Sequence, residues 1–198
     1  MKGYDFDKTI FKGNSYRHFY FYCLLRFPYL ILYLPIQAFF MLLCILHIVS
    51  VDFGVQMFCK FTLFLPHRER VISRFWDKHI KRIAPWYFEQ HDKEDFVISG
   101  SPRFLVEEGC RRIGISTVIA TDVDIKYGNI LGEHCLGETK LTEYKKVFGD
   151  AVLDEFYSDS LSDLPMLCYA TRGYLVKHNE RTLYTENGKV IDPLDSKI

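Results

Sequence analysis

The stretch KGYDFDKT, residues 2–9, decides the predicted fold of this chain. Lys2–Phe6 is typical of a short first strand, and two acidic residues stand at its carboxyl end. Side chains at positions i and i+2 of a strand point to the same side, so Asp5 and Asp7 can reach one reacting centre. One carboxylate can act as a nucleophile and the other as a general acid and base, because these two roles need different environments. The stretch therefore predicts catalytic chemistry at the end of the first strand.

The second half of the chain alternates between predicted strands and helices. The predicted strands are Asp95–Gly100, Thr117–Thr121, Val152–Ser158 and Gly173–Lys177, the predicted helices are Ser101–Ile113, Glu138–Phe148 and Ser162–Ala170, and the predicted hairpins are Val123–His134 and one at Asn187-Gly188. In the first of these helices, Ser101 is the expected N-cap and Pro102 the first helical residue. The alternation predicts an α/β fold, a Rossmann-like parallel sheet core with helices on both faces.

Open parallel sheets place their active sites at the carboxyl ends of the strands. The residues that follow the predicted strands are Asp5 and Asp7, then Ser99, Gly100 and Ser101, then Asp159 and Asp163. Four carboxylates at one edge would raise one another's pKa, and a bound Mg²⁺ with a substrate phosphate relieves this repulsion. Ser99 precedes a predicted helix N-terminus, which is a natural phosphate cradle. Lys140 is the expected cation for the phosphoryl group.

These motifs resemble those of the haloacid dehalogenase superfamily of phosphohydrolases. Asp5-Phe6-Asp7-Lys8-Thr9 matches its first motif, DxDx(T/V), and Ser99 matches the second. Lys140 matches the third motif, and Ser158-Asp159 with Asp163 matches the acidic fourth. The motifs occur in order over essentially the whole chain. The segment between the first two matches the small helical cap of subclass IB, which includes phosphoserine phosphatase.

The resemblance implies a Mg²⁺-dependent phosphatase and a role for each matched residue. Asp5 would attack phosphorus, and Asp7 would protonate the leaving oxygen and later activate water. The metal would bind Asp5, Asp7 through its backbone carbonyl, Asp159 and Asp163. The phosphoryl oxygens would be bound by Thr9, Ser99, Gly100, Ser101 and the catalytic Lys140. The second aspartate favours phosphate chemistry, because the true dehalogenases of the superfamily lack it.

Residues 16–85 are expected to form a helical, apolar cap, inserted after the first strand into a catalytic core of residues 1–15 and 86–198. Within the cap, Phe27–Val49 is 23 residues without a formal charge, long enough to cross a hydrocarbon core. A single crossing would separate two halves of the chain whose aspartates must meet in one site. The return stretch Val51–Leu65 is short and carries charged residues, which argues against two crossings.

Two alternatives therefore stay open for the cap. It is either a soluble lid with an apolar helix pair, or a lid that dips into one leaflet of a membrane. The basic segment that follows, His67–Arg82, suits anionic lipid headgroups. The expected location is the cytoplasm, at the inner face of the cell membrane if the cap dips into it.

Composition narrows the range of partners. Lys+Arg and Asp+Glu each total 25, so the formal net charge is zero and no nucleic-acid partner is expected. The six cysteines are far apart in sequence, which is typical of reduced thiols in a cytosolic protein. The sequence makes no prediction about the oligomeric state.

The substrate is expected to be a phosphorylated small molecule or a lipid phosphate. The apolar cap looks like that of bacterial enzymes of the phosphatidylglycerophosphatase C type. In those enzymes a similar insertion is followed by Ser-Pro after motif two and by Cys-Leu-Gly before the motif-three lysine, which here are Ser101-Pro102 and Cys135-Leu136-Gly137. The alternatives are a phosphatase for phosphoserine or another small metabolite and, outside enzymes, a phospho-acceptor signalling domain.

Overall fold

A parallel sheet forms the centre of the molecule in the computed structural model, which describes residues 1–191 apart from the side chains of residues 51 and 52. The strands of this part of the chain are β1 (Lys2–Tyr4), β2 (Phe96–Pro102), β3 (Thr117–Thr121), β4 (Val123–Asp124), β5 (Asn129–Ile130), β6 (Glu155–Ser158), β7 (Arg172–Lys177), β8 (Glu180–Glu186) and β9 (Lys189–Val190). The sheet order is β3-β2-β1-β6-β7-β8-β9, and β4 pairs with β5 separately. Neighbouring strands from β3 to β7 are parallel, whereas β8 and β9 are added antiparallel. The last seven residues of the predicted core, 192–198, lie outside the described residues.

Helices connect and cover these strands. They are α1 (Ser15–Arg26), α2 (Leu34–Ile45), α3 (Val51–Cys59), α4 (Arg68–His79), α5 (Pro85–Gln90), α6 (Arg103–Arg112), α7 (Glu138–Phe148) and α8 (Leu164–Tyr169). Short 3₁₀ helices occupy Pro28–Tyr33, Lys60–Phe64, Ile80–Arg82 and Leu161–Asp163. Helices α1 to α5 thus all lie between β1 and β2 in the chain.

Strand β2 shows why the sheet is covered on both faces. Successive side chains of a strand point to opposite sides. Phe96 and Ile98 join a buried cluster with residues of α7 and α8, such as Tyr144. Val97, between them, joins a second cluster that includes Leu105 of α6. The predicted α/β fold, a mainly parallel sheet with helices on both faces, is confirmed.

The predicted start of the helix after β2 is wrong. We expected Ser101 to be the N-cap, but β2 continues through Pro102 and α6 begins at Arg103. The strand persists because Pro102 is extended, with ψ of 130°, and still pairs with Thr121 of β3 after an irregularity that begins at Ser99. The hydroxyl of Thr121 also donates a hydrogen bond to the carbonyl of Gly100, at 2.8 Å.

The inserted segment leaves and re-enters the core through a narrow neck, residues 10–12 and 82–84. The amide of Lys12 donates to the carbonyl of Arg82 at 2.8 Å, and the amide of Ala84 donates to the carbonyl of Ile10 at 2.7 Å. Phe11, between them, forms an antiparallel bridge with Ile83. The two crossing points are therefore held together by backbone hydrogen bonds.

Beyond the neck, an apolar hairpin is formed by residues 28–64. Its two arms run antiparallel and are joined by hydrogen bonds from the first arm to backbone carbonyls of the second. The hydroxyl of Tyr33 donates to the carbonyl of Met57 at 3.0 Å, and the amide of Gln37 donates to the carbonyl of Phe58 at 3.2 Å. Pro28–Ile45 is long and apolar enough, by length and composition alone, to cross a membrane.

Helix α4 packs directly on the catalytic core, although it belongs to the predicted cap. The side chain of Trp76 is fully buried, and its indole N–H donates to the carbonyl of Leu105 in α6 at 2.8 Å. Gly109 of α6 is required at this contact, since a Cβ there would come within 2.5 Å of the Trp76 ring. The division into a cap at 16–85 and a core at 1–15 and 86–198 stays a prediction.

Replacing Trp76 with Phe should therefore destabilise the whole molecule. The change leaves a cavity and removes the donor for a buried carbonyl, which together cost about 2 kcal/mol. Urea unfolding followed by circular dichroism measures this free energy. The exposed Phe88 in α5 supplies the matched control, because Phe88→Leu should change the free energy of unfolding by less than about 0.5 kcal/mol. Equal values for both variants would mean that the Trp76 contact does not hold the insertion to the core.

Candidate active site

The carboxyl ends of β1, β2 and β6 surround a cavity of about 350 Å³. The predicted site residues that line it are Asp5, Asp7, Ser99, Gly100, Ser101, Lys140, Asp159 and Asp163. Thr9 stands immediately behind them, where its hydroxyl donates to Asp5 at 3.2 Å. The fold thus brings together residues that are up to 158 positions apart in sequence.

A buried lysine joins two of the aspartates at the bottom of the cavity. The ammonium of Lys140 lies 2.6 Å from Oδ1 of Asp5 and 2.7 Å from Oδ2 of Asp163. Helix α7 positions this lysine in its first turn, and the side chain is 2% exposed. A buried cation held by two carboxylates has a fixed position, because leaving either carboxylate unpaired would be costly.

Burial shifts the proton affinity of Asp5 strongly. Desolvation raises the pKa of Asp5 to about 7, against the lowering effect of Lys140 and with a further increase from the charge of Asp163. Desolvation likewise raises the pKa of Asp7 and of Asp159. A further positive charge in the cavity would favour the ionised carboxylates that nucleophilic attack and metal binding need.

Asp7 lies in a different environment from Asp5, as the two proposed roles require. Its Oδ1 accepts a hydrogen bond from the backbone N–H of Ser15 at 2.6 Å, and the hydroxyl of Ser101 donates to its Oδ2. Ser15 is the first residue of α1, so the carboxylate lies at a helix N-terminus, where negative charge is stabilised. These contacts hold Asp7 apart from the ion pairs of Lys140.

Asp159 closes the cavity on the side of β6. Its backbone N–H donates to the hydroxyl of Thr9 at 2.9 Å, so Thr9 connects Asp159 with Asp5. The ammonium of Lys8 lies 3.6 Å from Oδ2 of Asp159. Lys8 has φ of 58°, in the left-handed region where a non-glycine residue is uncommon.

The chain is irregular at Ser99–Ser101 near the end of β2, and these residues are not a helix N-terminus because α6 begins at Arg103. Ser99 Oγ accepts the backbone N–H of Ser101 at 3.1 Å, which turns the chain towards Asp7. The imidazole of His134 lies 3.2 Å from the carbonyl of Gly100. The expected phosphate cradle at a helix end is therefore corrected: Ser99 and Ser101 face the cavity from an irregular strand end.

The donor set of the cavity fits a divalent cation. Oδ2 of Asp163 accepts hydrogen bonds from the ammonium of Lys140 and from the hydroxyl of Ser158, whereas its buried Oδ1 has no hydrogen-bond partner. Four carboxylates but two lysines line the cavity, which leaves an excess of negative charge. Hard oxygen donors of this kind suit Mg²⁺. Within residues 1–191, no cluster of three or more His, Cys, Asp or Glu is already closed around a metal position. The site would therefore need an aspartate side chain to adjust.

Several residues that line or support the cavity were missed by the sequence analysis. Tyr16, Val55 and Cys59 reach it from the insertion, and Ser15 and Asn14 contact Asp7. Val55 and Cys59 carry no catalytic chemistry, so no motif marks them. The contact from Ser15 uses a backbone amide, which every residue other than proline has. Asn14 is the N-cap of α1, and an asparagine directly before a helical segment was the one available signal.

Comparison with known proteins places the chain in a family. The model of the haloacid dehalogenase-like hydrolase family matches residues 3–168. No curated protein matches the chain in sequence.

Similar solved structures share the fold at low identity. A protein of unknown function from Bordetella pertussis Tohama I is 18% identical, with a TM-score of 0.68 over 87% of each chain. A phosphoserine phosphohydrolase-like protein from Francisella tularensis subsp. tularensis SCHU S4 is 17% identical, with a TM-score of 0.57 over 90% of this chain and 88% of that one. A phosphoserine phosphatase in its apo form is 16% identical, with a TM-score of 0.51 over 86% and 82%. The predicted membership of this superfamily of hydrolases is confirmed, and members of the family generally use a divalent metal. The chain belongs to the haloacid dehalogenase-like hydrolase family.

Proposed function

We propose that this hydrolase is a Mg²⁺-dependent phosphatase that cleaves phosphate monoesters through an aspartyl-phosphate on Asp5. The observation that carries the proposal is the pairing of Asp5, at the bottom of the cavity against Lys140, with Asp7 two residues later in a separate hydrogen-bond network. This gives two neighbouring carboxylates in different environments, the requirement for one nucleophile and one general acid.

In the first step, a carboxylate oxygen of Asp5 forms a bond to phosphorus while the bond from phosphorus to the ester oxygen breaks. Asp7 gives its proton to that leaving oxygen, and the alcohol departs. Lys140 stays beside Asp5 and balances charge on the transferring group. Ser99 faces the same space, and its hydroxyl can donate to a phosphoryl oxygen.

In the second step, Asp7 removes a proton from a water molecule whose oxygen attacks phosphorus. The bond between phosphorus and the Asp5 oxygen breaks, which releases inorganic phosphate and restores both carboxyl groups. Mg²⁺, held by Asp5, Asp159, Asp163 and the backbone carbonyl of Asp7, would neutralise charge on the phosphoryl oxygens. Thr9 keeps Asp5 and Asp159 in register for this arrangement.

For the substrate we propose a lipid phosphate, such as phosphatidylglycerophosphate, hydrolysed at the inner, cytoplasmic face of the cell membrane. The lining of the cavity includes apolar side chains, Val55 from the insertion and Ile130 and Leu136 from the predicted core. Among the described residues that line the cavity, the cations are Lys8 and Lys140, and both contact aspartates. The lining thus offers apolar contacts to the rest of a substrate and no arginine for the carboxylate of phosphoserine.

Two tests separate this proposal from its alternatives. Hydrolysis of p-nitrophenyl phosphate with Mg²⁺ distinguishes an enzyme from a phospho-acceptor signalling domain, which would take up one phosphoryl group without turnover. A side-by-side assay of phosphatidylglycerophosphate, phosphatidic acid and phosphoserine then compares kcat/KM. A clear preference for phosphoserine would exclude the lipid substrate and leave the phosphatase assignment intact.

Asp7→Asn should lower kcat by a factor on the order of 10²–10⁴, because an amide cannot transfer a proton. The amide oxygen can still accept the hydrogen bond from the backbone N–H of Ser15, so the local structure should be kept. Steady-state hydrolysis of p-nitrophenyl phosphate measures the loss. A substrate with a better leaving group should be affected less, since it needs less protonation. Asp77→Asn, an exposed aspartate of α4 that pairs with Arg112, is the control and should leave kcat unchanged. Equal rates for Asp7→Asn and wild type would remove the general acid from the mechanism.

A further inference from the structure

We infer that the apolar hairpin, residues 28–64, is a docking surface that inserts into one leaflet of an anionic phospholipid membrane. The inference rests on the proposed function, because it names the surface that would bring the catalytic cavity to a lipid phosphate. Its evidence is separate and lies in the exposure of the hairpin, the charges around its base and its position beside the cavity.

Most of the exposed large apolar side chains of the described residues lie between Phe21 and Phe64. The most exposed of them on the first arm of the hairpin include Leu32 at 82% and Ile45 at 67%. Only 11% of the segment Pro28–Ile45 is buried. A surface this large and apolar marks an interaction site, since soluble monomers rarely expose contiguous patches of this kind.

The composition of helix α2 favours acyl chains over water on most of its circumference. Residues 27–50 contain no Asp, Glu, Lys or Arg. A helix that is apolar all round is found in a protein core or in a membrane, and α2 is not in the core. Gln37 is its one buried residue, and its amide is satisfied by Phe58 of the second arm. No polar side chain of the described part of α2 is left for the bilayer to accommodate.

The geometry indicates insertion to the depth of one leaflet. The stretch from Leu34 to Ile45 is about 18 Å long at 1.5 Å per residue, whereas a hydrocarbon core is about 30 Å thick. The turn between the arms carries His47 and Ser50. These polar residues belong at the level of the headgroups, so α2 lies tilted among the acyl chains and its turn stays near the surface.

The base of the hairpin carries the positive charge that anionic headgroups require. Arg68 donates to the carbonyls of Thr62 and Leu63, at 2.7 and 3.0 Å, so its guanidinium lies where the second arm ends. Arg26 is the last residue of α1 and Arg74 lies in α4, and these two helices pack against each other. Juxtamembrane basic residues of this kind bind anionic lipids.

Docking on this surface would place the catalytic cavity beside the membrane. Val55 and Cys59 of α3, in the second arm, line the cavity, and α2 of the first arm packs against α3. A lipid whose acyl chains stay in the leaflet could therefore present its phosphate to Asp5 along the hairpin. The same helix pair would serve as the membrane contact and as a wall of the active site.

Flotation of the wild-type protein on density gradients tests the docking surface directly. The probes are vesicles of phosphatidylcholine alone and of phosphatidylcholine mixed with phosphatidylglycerol in equal parts, neither of which contains a phosphate monoester. The wild type is expected to float with both and more strongly with the mixed vesicles at low salt. Protein that stays at the bottom with both kinds of vesicle would overturn the inference.

Variants locate the surface. The double variant Leu32→Glu, Leu42→Glu should bind at least about tenfold more weakly to both kinds of vesicle, because each change places a carboxylate among acyl chains. The control variant Val147→Glu, Val152→Glu alters two comparably exposed apolar residues on the surface of the predicted catalytic core, and it should bind like the wild type. Arg26→Glu, Arg74→Glu should lose only the additional binding to the anionic vesicles. Equal binding of all these variants would overturn the inference.

Two further measurements keep the outcome interpretable. Circular dichroism and hydrolysis of p-nitrophenyl phosphate without vesicles show whether each variant is folded and active. If the Glu variant is unfolded, Phe39→Ser, Ile45→Ser replaces it with a smaller change in polarity. Sedimentation equilibrium tests the other occupant, a second copy: a stable dimer that Leu32→Glu, Leu42→Glu dissociates, with no flotation, would contradict membrane docking. If the wild type did not hydrolyse p-nitrophenyl phosphate, this would contradict the proposed phosphatase function and leave the docking result unaffected.

Discussion

Replacing Asp5 with Asn is expected to lower turnover by at least about a thousandfold, which corresponds to about 4 kcal/mol of barrier. The amide is nearly isosteric with the carboxylate and can still accept from Lys140, which lies 2.6 Å away. It cannot form an acyl phosphate, however, because its oxygen is a poor nucleophile. The fold should therefore persist while the first chemical step is lost. Hydrolysis of p-nitrophenyl phosphate and urea unfolding of the same preparation measure the two properties together.

A buried aspartate outside the cavity provides the matched control for this variant. Asp95 is 3% exposed and accepts hydrogen bonds from the backbone amides of Lys2 and Asp92. Asp95→Asn should reduce stability without reducing turnover per folded molecule. If Asp5→Asn retained more than a few per cent of the wild-type rate, after correction for any deamidation back to Asp, Asp5 would not be the nucleophile.

Removal of divalent metal is expected to stop hydrolysis completely. EDTA should abolish the activity and Mg²⁺ should restore it, whereas Ca²⁺ should substitute poorly because it prefers more ligands and longer distances. The reason is the excess negative charge of the cavity, since its described lining contains four aspartates and two lysines. Calorimetric titration of the protein with Mg²⁺ gives a readout that does not depend on turnover.

Variants of Asp159 and Lys8 sharpen this test. Asp159→Ala should raise the Mg²⁺ concentration needed for half-maximal activity and weaken the calorimetric signal. Lys8→Met should not raise that concentration, because it removes a cation that lies 3.6 Å from Asp159 and competes with the metal. Full activity in the presence of chelator would exclude Asp159 from a metal site.

The elements predicted from the sequence are those with a strong local pattern. Thr117–Thr121 and Glu138–Phe148 have the predicted boundaries, because an apolar run and an amphipathic helix followed by glycine leave little choice. The hairpin predicted at Asn187-Gly188 is confirmed as β8 and β9, but the first part of β8, which pairs antiparallel with β7, was missed. It begins after His178 and Asn179, which both have positive φ, and a His-Asn pair is a weaker turn signal than Asn-Gly.

The candidate site was predicted as a set of residues, but not as a network. Motif order identifies the aspartates and Lys140, since their chemistry is specific. It does not reveal that Lys140 bridges Asp5 and Asp163, because the bridge depends on where α7 meets the sheet. The misplaced helix start at Ser101 has a similar cause: pairing with β3 outweighed the local preference of Ser-Pro for a helix start.

Helix α1 has a consequence for how the two ends of the molecule act on each other. Its first backbone amide, from Ser15, holds the carboxylate of Asp7, and its last residue, Arg26, leads into the apolar hairpin. Twelve residues of continuous helix form a lever about 18 Å long, stiff enough to transmit a tilt from one end to the other. In the proposed mechanism, a load on the hairpin would therefore act through α1 on the carboxylate that gives its proton to the leaving alcohol. The proposed docking and the proposed proton transfer are connected through one helix.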